Sequence, residues 1–534
     1  MAAALATLVF LPSISGGFLY DDLHVIVDNR SIRHLGAVGT ILRYEPARPL
    51  LSLSWALNYA VAGLTPWPYH LANVLIHAAN AALIATLFMW MAGRAGGANP
   101  LRTALLGAGL FAVTPMAVET VAYVSSRSTA LASLLVIASL LLALSALEGR
   151  GSPRRRWAAL ALFVLALATK EEAASLPLFL LLLDYYFVAG QRGREVWGRW
   201  RFHGPFVVLP VLGLLVRYAA TGQWLPPSGI DRGRFLATQA AAFPGYLLRA
   251  LVPVDPAFYR GHPLAPWPPD LATLACWAGT ATLAAAAFAG RRRWPAASFA
   301  VCWLAAGLLP SSSIVPLKEM VVDHRAYLGG AAAVFGLGGL LARPGRAPVA
   351  IAVLALLAAR SAQYQWILAD PARAWEDAVR RAPGVAEAHL GLGEAYAASH
   401  DPRAEESLRR AVTLDRQSPR GWANLGALYA EAGRLQEAEW AMRQATQAAP
   451  RDARMHDNLG LILQALGRDD EARAEYEAAI LGYPPLVQPR IRLAAILIRR
   501  GEREQAVAVL NDALRFELDE EDARAIEALW GKLH

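Results

Sequence analysis

The chain has 534 residues, of which 55% are hydrophobic and only 18% are charged, and its mean hydropathy is +0.31. These values exclude an ordinary soluble globular protein, in which about 25% of the residues are charged. The net charge of +8 comes almost entirely from arginine, since the chain has only three lysines. The arginines cluster between apolar segments, so the basic balance does not indicate a nucleic-acid partner.

The first two thirds of the chain consist of apolar segments close to the length of about 20 residues that crosses a bilayer. We predict an all-α, polytopic membrane helix bundle with about eleven spans. Their predicted ranges are 3–20, 71–92, 103–118, 129–147, 157–169, 175–189, 203–219, 270–289, 295–310, 326–341 and 348–366. A further apolar run at 235–252 is predicted to be an interfacial helix.

Arginine-rich loops set the predicted orientation of these spans. Clusters occur at 150–156, 192–201, 291–293 and 343–346, and the positive-inside rule places such loops in the cytoplasm. The alternate loops, together with everything after residue 366, are then predicted to lie on the outer side.

Asp21 and Asp22 directly follow the first apolar segment. Carboxylates at the mouth of a membrane span are costly to place there and often mark ion binding, proton transfer or substrate orientation. Either residue taken alone is equally well explained as an interfacial anchor. The adjacent pair favours a functional role.

Other ionisable residues collect in the same predicted outer loops, each next to the end of a span. They are Glu119, Arg127, Lys170, Glu171, Glu172, Lys318, Glu319, Asp323, His324 and Arg325. Cations suit phosphate oxygens and a carboxylate suits a general base. The set therefore predicts a site for an anionic, membrane-borne substrate.

His70, Asn73 and His77 lie on one face of the second predicted span. Two histidines at this spacing are able to bind a metal ion, but no third ligand is evident nearby. Polar residues on one face of a membrane helix more often bond a neighbouring helix. We therefore favour helix packing and predict no metal site.

The last third of the chain is an internal repeat. Leu392-Gly393, Leu425-Gly426, Leu459-Gly460 and Leu493-Ala494 are spaced by 33, 34 and 34 residues, which matches the tetratricopeptide pattern. We predict a membrane domain at 1–368 and a repeat solenoid at 369–534. The predicted repeat units are a half repeat at 369–385 and repeats at 386–418, 419–452, 453–486 and 487–520. Such a solenoid binds protein or peptide on its concave surface.

Several local motifs resemble those of the transmembrane and tetratricopeptide-repeat O-mannosyltransferase-like family. The motifs are FLYDD at 18–22, RPLLSLS at 48–54, YHLAN at 69–73, PMAVE at 115–119, VAYVSSR at 121–127, KE at 170–171 and the segment 319–327. The resemblance implies the GT-C fold of glycosyltransferases that use polyprenyl-phosphate sugars. It also implies that the pair Asp21-Asp22 supplies the catalytic carboxylate. The chain departs from the family at Thr114, where relatives carry His, and at 323–325, where a Glu-Arg-Tyr-type sequence is expected.

The resemblance and the outer loops together predict an integral-membrane glycosyltransferase. It would move a hexose, mannose in the first instance, from a polyprenyl-phosphate sugar to Ser or Thr hydroxyl groups of proteins that the repeats recruit. The predicted donor- or substrate-binding residues are Arg127, Lys170, Glu171, Glu319, His324, Arg325 and Tyr327. No cofactor is predicted beyond the lipid-phosphate sugar, and a divalent metal requirement stays open.

Two alternatives remain at this stage. In the first, the enzyme transfers the sugar to a lipid-linked or cell-envelope glycan. In the second, the chain is a non-catalytic membrane scaffold. The composition points to a prokaryote, which predicts the plasma or inner membrane with the active face and the repeats on the periplasmic side.

Overall fold

The computed structural model describes all residues except 98, 151, 223–228, 314, 315, 317, 318, 517, 519 and 534. Lys318 therefore lies outside the described residues. Every regular element in the described part is helical, which confirms the predicted all-α class. The contacts divide the chain into a first unit, Met1–Arg381, and a second unit, Ala382–His534.

The described residues of the first unit form seventeen α-helices, with short 3-10 and π turns between some of them. They are α1 (Ala2–Phe10), α2 (Val38–Tyr44), α3 (Pro49–Ala62), α4 (Trp67–Arg94), α5 (Pro100–Val113), α6 (Val118–Ala122), α7 (Arg127–Leu147), α8 (Arg154–Leu167), α9 (Leu176–Leu183), α10 (Gly193–Gly198), α11 (Trp200–Thr221), α12 (Arg232–Leu251), α13 (Leu271–Gly290), α14 (Pro295–Ser313), α15 (Ala331–Leu341), α16 (Ala347–Leu368) and α17 (Pro371–Arg381).

Each of the eleven apolar segments overlaps one of these helices. Six helices in the described residues are long and apolar enough to cross a membrane, and a seventh is added if α5 and the segment 115–122, bent by 48° from it, form one span. The chain is thus a membrane protein. The number of spans stays a prediction, because α1 and α15 are shorter than a full crossing.

Close packing of α5 against α15 depends on two glycines. A Cβ atom added to Gly338 would lie 2.5 Å from the backbone nitrogen of Gly107. Small residues of this kind let two membrane helices approach each other closely, where lipid provides no hydrophobic drive for association.

The polar stripe on α4 forms interhelical hydrogen bonds. Asn73 Nδ2 donates to the carbonyl of Val121 at 3.3 Å, and His77 Nδ1 lies 2.7 Å from the hydroxyl of Tyr327. His70 Nε2 lies 3.3 Å from the carbonyl oxygen of Gly17. Among the described residues there is no group of three or more side chains suited to hold a metal ion. These contacts support the packing interpretation.

The run at 235–252 folds as α12, which Asp231 caps by accepting a hydrogen bond from the backbone of Arg234. Phe235 and Tyr246 on this helix share an apolar cluster with Met320 and Leu304. Helix α12 is therefore packed beside the segment that leads into 323–326, and its predicted interfacial position stays a prediction.

In the second unit, the residues that the structure describes form four consecutive helix pairs and a closing helix. They are α18 (Ala386–Ala398), α19 (Ala404–Leu414), α20 (Pro419–Glu431), α21 (Leu435–Ala448), α22 (Ala453–Ala465), α23 (Asp469–Gly482), α24 (Gln488–Arg499), α25 (Arg503–Ala513) and α26 (Glu520–Leu533).

The repeated glycine explains how the first three pairs close, while the fourth carries Ala494 at this position. A Cβ atom at Gly460 would lie 2.5 Å from the ring of Tyr476, so only glycine lets α22 and α23 approach this far. The turn glycine Gly467 has a φ of 76°, a conformation that glycine adopts without steric cost. The predicted tetratricopeptide architecture is present in this unit.

Candidate active site

The two aspartates of the opening loop lie in different environments. Asp22 is fully buried and accepts hydrogen bonds from the backbone of Leu19 at 3.0 Å, from the backbone of Ser125 at 2.7 Å and from the Ser125 hydroxyl. Asp21 is exposed, and its backbone N–H donates to the hydroxyl of Tyr123 at 3.0 Å. Asp22 therefore fixes the loop, while Asp21 presents its carboxylate outward.

The pKa of Asp22 reflects this burial. Desolvation raises the pKa of Asp22 to about 7, although the hydrogen bonds from Ser125 and Leu19 favour the ionised form and the charge of Asp21 opposes it. The preceding residue, Tyr20, has a φ of 53°, which is uncommon for a bulky residue. Backbone strain of this kind is concentrated at functional sites.

An aromatic cluster supports the loop from the side. Tyr20 packs edge-on against Trp375 of α17, with ring centroids 5.3 Å apart. Phe258 touches the rings of both Trp375 and Tyr123. The segment that follows the last membrane helix is thereby in contact with the loop that carries Asp21.

Glu119 and His324 form a second pair at the same end of the bundle. His324 Nδ1 lies 2.6 Å from Glu119 Oε1, and the His324 backbone donates to Oε2 at 3.0 Å. Burial, together with the positive charge of Lys170, holds the pKa of His324 well below its usual range.

Asp323 is held by a separate network. Arg260 donates to its two oxygens at 2.9 and 2.8 Å, and the backbone of Ala257 adds a third hydrogen bond at 2.9 Å. Arg260 also contacts Asp255, which pairs with Arg381 of α17. This network ties the proline-rich segment to the turn that carries His324.

The KE motif places one cation and two carboxylates next to one another. Lys170 Nζ donates to the hydroxyl of Thr129 at 2.7 Å and lies 3.3 Å from Glu172. Glu171 accepts from Arg48 at 3.1 Å. Burial opposes the charge of Glu171, but Arg48 and Lys170 outweigh it and hold its pKa at about 2.

Arg325 lies next to this motif. Its guanidinium donates to the backbone oxygens of Met320 at 3.0 Å and Glu319 at 2.7 Å. The side chain lines a small cavity together with Glu172 and Thr129. The charge of Glu319 acts on Tyr123, as do those of Asp21 and Asp22, so Glu319 belongs to the same cluster.

Two predicted site residues lie inside the helix bundle instead. Arg127 is 1% exposed, and its three guanidinium nitrogens donate to Asn73 at 2.8 Å, to Asn58 at 2.6 Å and to the backbone of Tyr69 at 2.9 Å. These neutral acceptors engage all three guanidinium nitrogens, and Arg127 does not line the cavity that Arg325 lines. The phosphate role of Arg127 stays a prediction.

Tyr327 is buried as well, at 3% exposure. Its hydroxyl contacts His77 on α4 and accepts a hydrogen bond from Asn80 at 3.2 Å. Tyr327 therefore holds the turn before α15 against α4 inside the bundle.

Sequence reasoning missed several residues that shape this site. Ser125 lies within the VAYVSSR motif, and its place two residues before Arg127 was the only signal for it. Arg260 comes from a proline-rich segment without helical periodicity. Trp375 falls in the predicted half repeat at 369–385, but that pattern gave no signal of its contact with the opening loop. The structure alone identifies them as supports of the site.

The fold and the site define a class. This is a helical membrane protein with buried and paired charges at one end of its bundle, one outward carboxylate at Asp21, and a tetratricopeptide unit after the last apolar helix.

Comparison with known proteins agrees with this class. A tetratricopeptide repeat family model matches residues 419–452 and 453–481. The chain is 33% identical to the human protein O-mannosyl-transferase TMTC2 over 170 residues, which are 29% of this chain and 20% of that protein. It is 32% identical to Protein O-mannosyl-transferase Tmtc1 of Drosophila melanogaster over 211 residues, covering 36% and 23% of the two chains.

These matches confirm the predicted resemblance to the TMTC protein O-mannosyl-transferases. The matched region spans about a fifth of the length of these relatives. Among solved structures, the crystal structure of MamA covers 30% of this chain and 92% of its own, with 26% identity and a TM-score of 0.26.

Proposed function

We propose that this protein is a membrane glycosyltransferase that moves a hexose, most simply mannose, from a polyprenyl-phosphate sugar to Ser or Thr hydroxyl groups of a protein. The observation that carries the proposal is the contrast between Asp21, which is exposed, and Asp22, which is buried. The similarity to proteins named protein O-mannosyl-transferases supports the sugar and the type of acceptor.

Asp21 acts as the general base. Its carboxylate takes the proton of the acceptor hydroxyl while the acceptor oxygen forms a bond to the anomeric carbon of the donor. The bond between that carbon and the phosphate oxygen breaks at the same time, and the lipid phosphate leaves with the electron pair. A positioned carboxylate contributes about 10²- to 10⁴-fold to such a step.

Asp22 and the aromatic cluster position this base. Asp22 fixes the loop through Leu19 and Ser125, and Tyr123 holds the backbone of Asp21 itself. A base that is fixed within hydrogen-bond reach of its proton avoids much of the entropic cost of the reaction.

Lys170 and Arg325 are the cations that we assign to the donor phosphate. Both lie beside Glu172, and Arg325 lines the cavity between α7, α14 and the turn at 171–175. Glu171, Glu319 and His324 belong to the same charged cluster but lie outside the lining of this cavity. Arg127 and Tyr327 are left out of this assignment because both side chains are buried inside the bundle and neither lines this cavity.

The active end is assigned to the outer, periplasmic side by the arginine-rich loops. These loops follow the positive-inside rule if the opposite end of the bundle faces the cytoplasm. The repeats, which follow the last apolar helix, then lie on the outer side as well. There they would hold the acceptor protein, since tetratricopeptide solenoids bind peptides on their concave face.

Glycoprotein and glycolipid profiling of membranes tests this function. Cells that carry Asp21→Asn are expected to lose a hexose-bearing set of peptides found with the wild type, at equal protein level. Asp28→Asn, an exposed carboxylate change in the same loop, is the matched control and should preserve the peptides. Loss of a glycolipid instead would indicate that the enzyme uses a glycan acceptor. No change in the glycopeptides or the glycolipids would indicate that the protein is a non-catalytic scaffold.

A further inference from the structure

An open apolar groove lies between α11 and α14 in the first unit, with α9 as its floor. Its volume is about 950 Å³, and its walls include Leu178, Leu182, Val208 and Leu309. Val208 and Leu309 are each 50% exposed. We call this feature the α9–α11–α14 groove. Apolar walls that open toward the bilayer favour a hydrocarbon chain over water.

One end of the groove is polar. Trp197 and Trp200 line it there and are strongly exposed, as is typical of tryptophan at the boundary between membrane and water. His203 lines the groove beside them and is 4% exposed. Its Nε2 lies 2.8 Å from Asp184, while its Nδ1 has no hydrogen-bond partner in the described residues. A buried polar atom without a partner is rare and indicates a missing ligand or water.

Positive charge surrounds this polar end. The guanidinium of Arg201 stands over the ring of Trp200 at 5.6 Å from its centroid. Arg194 belongs to α10, whose Val196 and Trp197 line the groove. Both arginines are exposed, and in the described part of the chain neither has a carboxylate partner, in contrast to Arg199, which pairs with Asp184. Two cations without a counter-charge are complementary to a phosphate.

This end is separate from the candidate active site. Helix α9 leads from Ser175, beside Lys170, to Asp184 at the polar end of the groove. At 1.5 Å per residue these nine steps amount to about 14 Å. A lipid whose phosphate is bound at Arg194 and Arg201 therefore has its head group at the opposite end of α9 from Lys170.

We propose that the α9–α11–α14 groove binds one anionic phospholipid of the surrounding membrane. One acyl chain lies along α9 between α11 and α14, and the phosphate meets Arg194 and Arg201. The head group lies beside His203, which lines this end of the groove. The basic loops suit this ligand, because anionic lipids attract arginines placed near the membrane surface.

Native mass spectrometry of the full chain tests this site. The protein is released from nanodiscs of phosphatidylcholine that contain a minor fraction of phosphatidylglycerol, and the tightly retained lipids are counted. Wild type is expected to retain one phosphatidylglycerol. Val208→Trp fills the groove and should lower this occupancy about tenfold or more. The matched control is Val211→Trp, one turn away on α11 and outside the groove lining, which should retain the lipid.

A second pair of variants separates charge from shape without touching a buried residue. Arg194→Gln/Arg201→Gln is expected to lower phosphatidylglycerol affinity about 30-fold, which corresponds to about 2 kcal/mol for the two arginines together. Arg292→Gln/Arg293→Gln, an exposed pair in another loop, should have no effect.

Three results would overturn the proposal. One is equal retention of phosphatidylcholine by the wild type. Another is the same loss of lipid in the control variants as in the groove variants. The third is displacement of the phosphatidylglycerol by added polyprenyl phosphate, which would indicate that the groove binds the lipid of the sugar donor.

Discussion

Asp22 is a buried carboxyl group in a polar loop, and its ionisation should control the stability of that loop. Its pKa is about 7 in the folded protein against 3.8 in the unfolded chain. Between these values the folded state binds a proton that the unfolded state has lost, so stability falls as pH rises.

We therefore predict that the melting temperature of the purified protein decreases from about pH 4 to about pH 7 through this group. Asp22→Asn cannot ionise and should remove this part of the slope, while Asp28→Asn should keep it. Differential scanning fluorimetry across the pH range measures both. An unchanged slope in the Asp22→Asn protein would show that Asp22 is ionised throughout.

Arg127 is expected to act on stability. Arg127→Lys retains the charge but cannot reach Asn58, Asn73 and Tyr69 together, as the planar guanidinium does. Each buried acceptor left without a donor costs about 1–3 kcal/mol. Thermal unfolding should show a clearly lowered melting temperature, with Arg43→Lys, an exposed arginine, as the control. A stable Arg127→Lys protein with a raised KM for the donor would instead restore the phosphate role.

Lys170 is expected to act on donor binding. Lys170→Met keeps the length of the side chain and removes the charge that we assign to the phosphate. The KM for the polyprenyl-phosphate sugar should rise about tenfold, corresponding to about 1.4 kcal/mol. Lys532→Met in the second unit is the control. An unchanged KM would remove Lys170 from the donor site.

At the scale of helices, the contact of α5 with α15 provides a test of the bundle itself. Gly338→Ala would place a methyl group 2.5 Å from the backbone nitrogen of Gly107, and overpacking of this kind costs about 1–3 kcal/mol. Gly336→Ala on the same helix meets nothing within 4 Å and should be neutral or slightly stabilising. Equal melting temperatures of the two variants would contradict the close approach of α5 and α15.

Helices and repeats were the part of the fold that the sequence could predict. The apolar segments gave a helix at each of the eleven predicted positions, since length and hydropathy are local properties. The tetratricopeptide pairs followed from the period of Leu-Gly positions such as Leu425-Gly426 and Leu459-Gly460. Which helices touch is not local, and the Gly107–Gly338 approach has no signal in either segment.

The candidate site was predictable to a similar limit. The sequence indicated which loops hold charge, and the structure brings Asp21, Asp22, Glu119, Lys170 and His324 to one end of the bundle. The sequence could not distinguish Arg127 from Arg325, because both lie in charged loops between apolar segments. They differ in their contacts and in that only Arg325 lines the cavity beside Lys170. The contacts of Trp375 with the opening loop join positions more than 350 residues apart and have no sequence pattern.

At the scale of the whole molecule, the chain combines a membrane unit with a tetratricopeptide unit. The similarity to the TMTC proteins covers about a fifth of their length. The proposed activity therefore rests on the geometry around Asp21 and on the names of those relatives taken together. The geometry and the names of the relatives both support one reaction, the transfer of a sugar from a lipid carrier to a protein.

The most direct test is transfer by the purified full chain in nanodiscs, with radiolabelled polyprenyl-phosphate mannose as donor and solubilised membrane proteins as acceptors. The account predicts label in the protein fraction with the wild type and with Asp28→Asn. With Asp21→Asn, the label should appear at least about 100-fold more slowly, at an unchanged melting temperature. Full activity of a stable Asp21→Asn protein would contradict the account.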